Sequence, residues 1–212
     1  MNHLCYQLFS CFGGPPDDRD NIIAATAAAN ARQSNAAAGA SGDGRPEVLL
    51  DSRHMAPDCV IVKAGKRLCG SGAVLATAPL AQDKSYFEVK LQAAGRWGVG
   101  VASRKEDLAA VPLGNENSWV LRSDSTTWHK QQLGSVDVKF EEGDVLGFSY
   151  DHVELNIFHN GKALNCPIIG VRGTVYPAFY VDEGAILDVI FHTFVHTPPT
   201  GFTEIMLEKN IL

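Results

Sequence analysis

Five cysteines, seven histidines and 24 carboxylate side chains are the groups in this 212-residue chain that could bind metal or make covalent bonds. The cysteines are Cys5, Cys11, Cys59, Cys69 and Cys166, and none forms the Cys-x-x-Cys pair of a structural zinc site. Their odd count and irregular spacing fit a reduced, intracellular protein rather than a disulfide framework. His192 and His196 are four residues apart, but Thr193 stands where a zinc protease carries glutamate. The segment also reads as a strand end, where that spacing does not bring two rings together. Gly95-Arg-Trp-Gly-Val-Gly100 lacks the Gly-Lys-Ser/Thr ending of a phosphate loop and lies in a β pattern. Gly70-Ser-Gly72 is not the Gly-x-Ser-x-Gly of a nucleophile elbow. Asp151-His152 falls between two candidate strands and reads as a turn rather than an acid/base pair. The expectation is no catalytic residue, no metal and no cofactor.

Two cysteines are left with a chemistry of their own. Cys5 and Cys11 lie beside Leu, Tyr and Phe near the N-terminus, the setting of S-acylation. Met1-Asn2 lacks the glycine that myristoylation needs, so the second membrane signal would be another acyl chain. Cys59, Cys69 and Cys166 are expected to be small buried or half-buried hydrophobes. Trp97 and Trp119 read as packing residues, whereas Trp128 sits in an irregular segment that suits ligand contact as well as packing. A net charge of −6 and a pI near 5.6 argue against nucleic acid as a partner. No apolar run approaches the ~18 residues that span a bilayer. A secretory signal is not expected either, and a cytoplasmic protein is.

The frame that must hold these side chains is β. Residues 145–150 and 153–158 are β-patterned runs, followed by Asn160-Gly161, whose residue types suit the two positive φ angles of a type I′ hairpin turn. Further strands are predicted over 59–63, 73–77, 85–92, 97–102, 119–122, 175–181 and 185–191. In 85–92, Phe87, Val89 and Leu91 share one face while Glu88 and Lys90 take the other, the alternation of a half-buried strand. Glycines within Trp97-Gly-Val-Gly-Val-Ala102 predict close backbone approach or a bulge. The segments 103–118 and 123–140 are too long for hairpin turns and read as loops. Residues 17–45 are dominated by Ala, Asn, Gly and Ser, with helix propensity over 24–38 but no core-facing stripe. Residues 1–46 are therefore predicted to be a disordered cysteine-bearing tail and linker, and 47–212 a folded domain.

Four segments, in order, carry a resemblance: Trp97-Gly-Val-Gly-Val-Ala102, Gly143-Asp-Val-Leu-Gly-Phe-Ser-Tyr-Asp151, Leu155-Asn-Ile-Phe-His-Asn-Gly161 and Tyr176-Pro-Ala-Phe-Tyr180. Together they resemble a SPRY domain, the core of the B30.2 module. The resemblance covers roughly 47–212 and is tightest from 85 to 191. It implies an all-β, concanavalin-like fold, a bent antiparallel β-sandwich without catalytic activity. It also implies a protein- or peptide-binding surface made by loops at one end. In relatives with a SOCS box, a tyrosine before a Gly-x-x-x-Ser-Trp-like stretch grips an Asn-rich peptide. The comparable stretch here, Gly114-Asn-Glu-Asn-Ser-Trp119, follows Ala109-Ala-Val-Pro-Leu113 and has no such aromatic, so that specificity is not carried over.

The expected function is a non-enzymatic adaptor that binds a protein or peptide. Loops 104–117, 122–133 and 63–68 would form its surface. Arg67, Arg104, Trp128 and Asp182 are candidate anchors, chosen for loop position and hot-spot chemistry rather than from the family. The competing readings are a membrane-associated scaffold acylated at Cys5 and Cys11, and a concealed hydrolase or carbohydrate binder on a concave sandwich face.

Overall fold

The computed structural model describes residues 47–207, and every regular element among them is a strand. In chain order these are β1 (Leu50–Met55), β2 (Cys59–Val62), β3 (Arg67–Gly70), β4 (Gly72–Ala76), β5 (Ser85–Ala93), β6 (Arg96–Ala102), β7 (Ser118–Arg122) and β8 (Thr126–His129). They continue as β9 (Gln131–Ser135), β10 (Val145–Tyr150), β11 (Glu154–His159), β12 (Lys162–Ala163), β13 (Ile168–Ile169), β14 (Tyr176–Asp182) and β15 (Ile186–Ile190). They form two antiparallel sheets. One runs β1-β4-β14-β6-β7-β8-β9; the other runs β12-β11-β10-β5-β15-β3-β2, with β13 paired to β11. Cys5, Cys11 and the expected linker lie outside the described residues.

The apolar inner faces explain why the sheets associate. Phe87 of β5 stacks on Phe148 of β10 with ring centroids 5.2 Å apart. Phe179 of β14, in the opposite sheet, meets Phe87 edge-on at 5.9 Å. Val99, Leu121, Leu146 and Leu187 join the same buried cluster. Cys59 is buried here, and burial pushes its thiol up to about 11, which makes it an inert packing group. Cys69 and Cys166 are half-buried.

The local turn chemistry follows the sequence. Asn160 and Gly161 have φ of 49° and 78°, and they close a two-residue hairpin in which His159 pairs with Lys162. His152 has φ of 66°, and the Asp151 carboxylate accepts from the amides of Val153 and Glu154, so Asp151-His152 is a side-chain-stabilised turn. The glycines of β6 answer to close approach: a Cβ at Gly98 would lie 2.1 Å from the Tyr180 ring, and one at Gly100 would lie 2.0 Å from the Trp119 carbonyl oxygen.

Two expectations need correction. Residues 123–140 are not one loop, because β8 and β9 form a hairpin inside them. Its residues are polar, Thr126-Thr-Trp-His129 and Gln131-Gln-Leu-Gly-Ser135, so no apolar alternation marks it. β5 is also not half-buried, since Glu88 on its supposed solvent face is fully buried. Residues 193–203 fold back over that face: Phe194 meets Tyr86 edge-on at 4.8 Å, and the Tyr86 amide donates to the Thr203 carbonyl.

Candidate functional site

Loop 103–117 connects β6 to β7 and lies against a second apolar cluster on the seven-stranded sheet. Its Leu113 is fully buried there with Val120, Ala178 and Tyr180. Arg122 donates from Nε and Nη2 to the Leu113 carbonyl at 2.9 and 2.6 Å. Its guanidinium lies 4.0 Å from the Trp128 ring centroid, and Trp128 Nε1 donates to Thr126 Oγ1 at 2.7 Å. The Gly114 amide donates to Ser118 Oγ at 2.8 Å, and Asn115 donates to Glu106. Burial pushes the Glu106 carboxyl above its usual range, against hydrogen bonds from Asn115 and Ser118. The loop is thus tied at several points and presents a preformed surface.

Where β6 ends and β7 and β14 begin, this loop walls an open groove of about 900 Å³. Its cationic lining comes from three separate segments: Arg104 and Lys105, then Lys130 in the β8–β9 turn, then Arg172 before β14. Glu116 is the one carboxylate in the lining. Tyr176, His129 and Trp119 supply flat surfaces, with the His129 and Trp119 rings stacked at 4.3 Å. Trp119 Nε1 is buried and has no hydrogen-bond partner among the described residues, an omission that costs about 1–3 kcal/mol.

Arg104 is held in place from behind. Its Nη1 lies 2.8 Å from His54 Nε2, and its guanidinium sits 4.6 Å from the Tyr176 ring centroid. Nη1 is also 3.5 Å from His54 Nδ1, so the guanidinium lies across the imidazole rather than along the Nε2 lone pair. His54 Nδ1 lies 2.8 Å from Asp51 Oδ2, and because the carboxylate accepts, Nδ1 is the donor. Burial alone would raise the Asp51 carboxyl, but hydrogen bonds from the Arg53 amide, His54 and the Arg53 side chain outweigh it and hold it below its ordinary value. An Asp–His pair of this kind also orients a hydrolytic nucleophile. Here the group nearest Nε2 is a guanidinium and not a hydroxyl.

A smaller groove of about 320 Å³ lies at the opposite end of the same sheet, between Pro112, Arg122, Asp124, Tyr180, Arg96 and Glu183. Arg96 pairs with Glu183 and reaches Asp182 at 3.6 Å.

The four anchors chosen from sequence are not brought together. Arg104 lines the larger groove. Trp128 is half-buried under Arg122. Asp182 ends β14 near the smaller groove, where it accepts from Ser71 Oγ at 3.0 Å. Arg67 lies in the other sheet, donating to both Asp188 oxygens at 2.6 and 2.9 Å. Sequence reasoning placed His129 and Lys130 in the expected surface loop 122–133 without singling them out, and it missed Arg172. Arg172 stands between Gly170 and Gly173 in a turn-rich segment, which marks it as exposed. Only the strand order shows that its loop meets the other two. His192 is engaged with Glu47, the His196 amide donates to Glu88, and no metal-holding group of three ligands occurs among the described residues.

The paired antiparallel sheets and the sequence together define the class: the chain belongs to the SPRY domain family, whose match covers residues 84–194. It is similar to SPRY domain-containing protein 7 of Homo sapiens and of Bos taurus, at 52% identity over 171 residues, which is 78% of this chain and 87% of each relative. The Gallus gallus protein of that name is 51% identical over the same length. Among solved structures the fold is similar to the SPRY domain of human HERC1, with a TM-score of 0.55 and 14% identity over 68% of this chain and 99% of that one. It is also similar to part of stonustoxin, with a TM-score of 0.57 and 19% identity over 68% of this chain and 27% of that one. SPRY domains generally act as non-enzymatic modules that bind proteins or peptides.

Proposed function

We propose that this chain is a cytoplasmic adaptor that binds an extended segment of another protein through the loops of its SPRY sandwich, without catalysing a reaction. The observation that carries this reading is loop 103–117. It borders both grooves, through Arg104 and Asn117 at one and Pro112 at the other, and is tied down by Arg122. A surface already ordered loses little entropy when a partner docks. Of the sequence-chosen anchors, Arg104 would touch the partner directly. Trp128 would act by bracing Arg122, Asp182 at the rim of the smaller groove, and Arg67 through Asp188.

The test is a quantitative affinity capture with the full chain as bait. Wild type should retain a partner whose recovery falls on Arg104→Ala and on Trp128→Ala. A partner list indifferent to both substitutions would count against the adaptor reading. A second reading is favoured by Cys5 and Cys11: the same module would be attached to a membrane by acyl chains.

A further inference from the structure

We propose that the larger groove takes an acidic stretch of the partner polypeptide, so that carboxylate side chains of an extended segment meet Arg104, Lys105, Lys130 and Arg172. This rests on the protein-interaction reading above and adds the chemistry of the ligand.

The argument is one of charge placed against the trend of the molecule. The chain carries a net charge of −6, yet this groove gathers four Lys/Arg side chains against one carboxylate, Glu116. Lys105, Lys130 and Arg172 are exposed and form no ion pair with another described residue. What sets these cations apart is their convergence from three loops that are distant in sequence. Arg104 is also pre-oriented, since its guanidinium packs against both the His54 imidazole and the Tyr176 ring. Arginine positioned in this way presents its remaining donors to a carboxylate without first losing rotamer freedom.

The shape selects a chain over a small anion. A groove of about 900 Å³, open to solvent and with cations on separate rims, is much larger than one phosphate needs. Tyr176 and the stacked Trp119–His129 pair give flat surfaces for the aliphatic stems of a peptide. Charges on a rim mainly steer encounter and set specificity, so binding should be fast and salt-sensitive.

The experiment is a calorimetric titration of the full chain with an octaglutamate peptide, with octaglutamine and octalysine as controls, at low and at physiological salt. The proposal expects saturable binding of octaglutamate alone, weakened by salt. The double variant Lys130→Glu, Arg172→Glu changes two exposed residues, and an unaltered melting curve verifies its fold. It should bind octaglutamate roughly tenfold more weakly or not at all. Equal binding of octaglutamine, or unchanged affinity in the double variant, overturns the proposal. So does binding to anionic phosphatidylserine vesicles, lost in the double variant, without binding to octaglutamate, because the surface would then serve a membrane. A null titration alongside a partner recovered by affinity capture removes the acidic-ligand assignment and leaves the adaptor reading intact.

Discussion

Glu88 sits fully buried in the middle of a β-strand with no cation beside it among the described residues. Its carboxylate accepts from the Tyr86 hydroxyl at 3.0 Å, the Val195 amide at 2.6 Å and the His196 amide at 3.0 Å. Burial first, then the charge and hydrogen bond of Glu88, push the Tyr86 phenol far up, so it stays a donor. One side chain therefore stands in for a missing strand and fastens residues 193–203 to the sheet. Replacing it with alanine leaves the buried Tyr86 hydroxyl and two part-buried amides without their acceptor. Glu88→Ala should lower stability by about 2–4 kcal/mol, read as a fall in the urea midpoint. Lys90→Ala, on the same strand, should stay within about 0.5 kcal/mol. Equal small shifts in both would refute this role. The alternation Phe87, Val89, Leu91 was legible, but the cover over Glu88 was not. That cover comes from a segment 107 residues away, which no local period can announce.

Paired elements carry the next level of cohesion. Asp188 of β15 lies opposite Arg67 of β3, and Lys63 from the β2–β3 turn adds a bond to Asp188 Oδ2 at 2.8 Å. Burial alone would raise the Asp188 carboxyl, but the hydrogen bonds and charges of Arg67 and Lys63 outweigh it, so it titrates below its ordinary 3.8. A depressed folded value means that the stabilisation is complete above the unfolded pKa and disappears as pH falls through the folded one. Wild type should therefore lose urea resistance as pH drops below about 4, and Asp188→Asn should flatten that decline while being weaker at neutral pH. An identical pH profile in the variant would show that these strands do not depend on the charge. Strands rich in Val, Phe and Tyr, such as β5, β10 and β14, were readable from sequence. The polar edge strand β9, mostly exposed, was not, because a strand without an apolar face leaves no period-two signal. For the glycines of β6 the sequence offered close backbone approach or a bulge, and the unbroken register leaves close approach. What approaches them, the Tyr180 ring and the Trp119 carbonyl, became visible only with the register.

For the whole molecule, net charge misled in one respect. An acidic composition argues against phosphate-rich partners, yet it does not reveal a local cationic groove assembled from distant loops. The S-acylation reading belongs at this scale too, because it decides where the chain resides. Acyl-exchange labelling should mark wild type and fail on the Cys5→Ser, Cys11→Ser double variant, with a matching shift of the chain into the soluble fraction. Absent label, with an unchanged soluble fraction, would refute the acylation reading. The strand order has one more consequence. β14 occupies the seat between β4 and β6, and β15 the seat between β5 and β3, although both come late in the chain. During synthesis each sheet stays split until its last partner leaves the ribosome. A product halted before Tyr176 would hold four raw edges, on β4, β6, β5 and β3, each able to recruit another chain. Premature termination of this message is thus an aggregation hazard rather than a route to a smaller working domain.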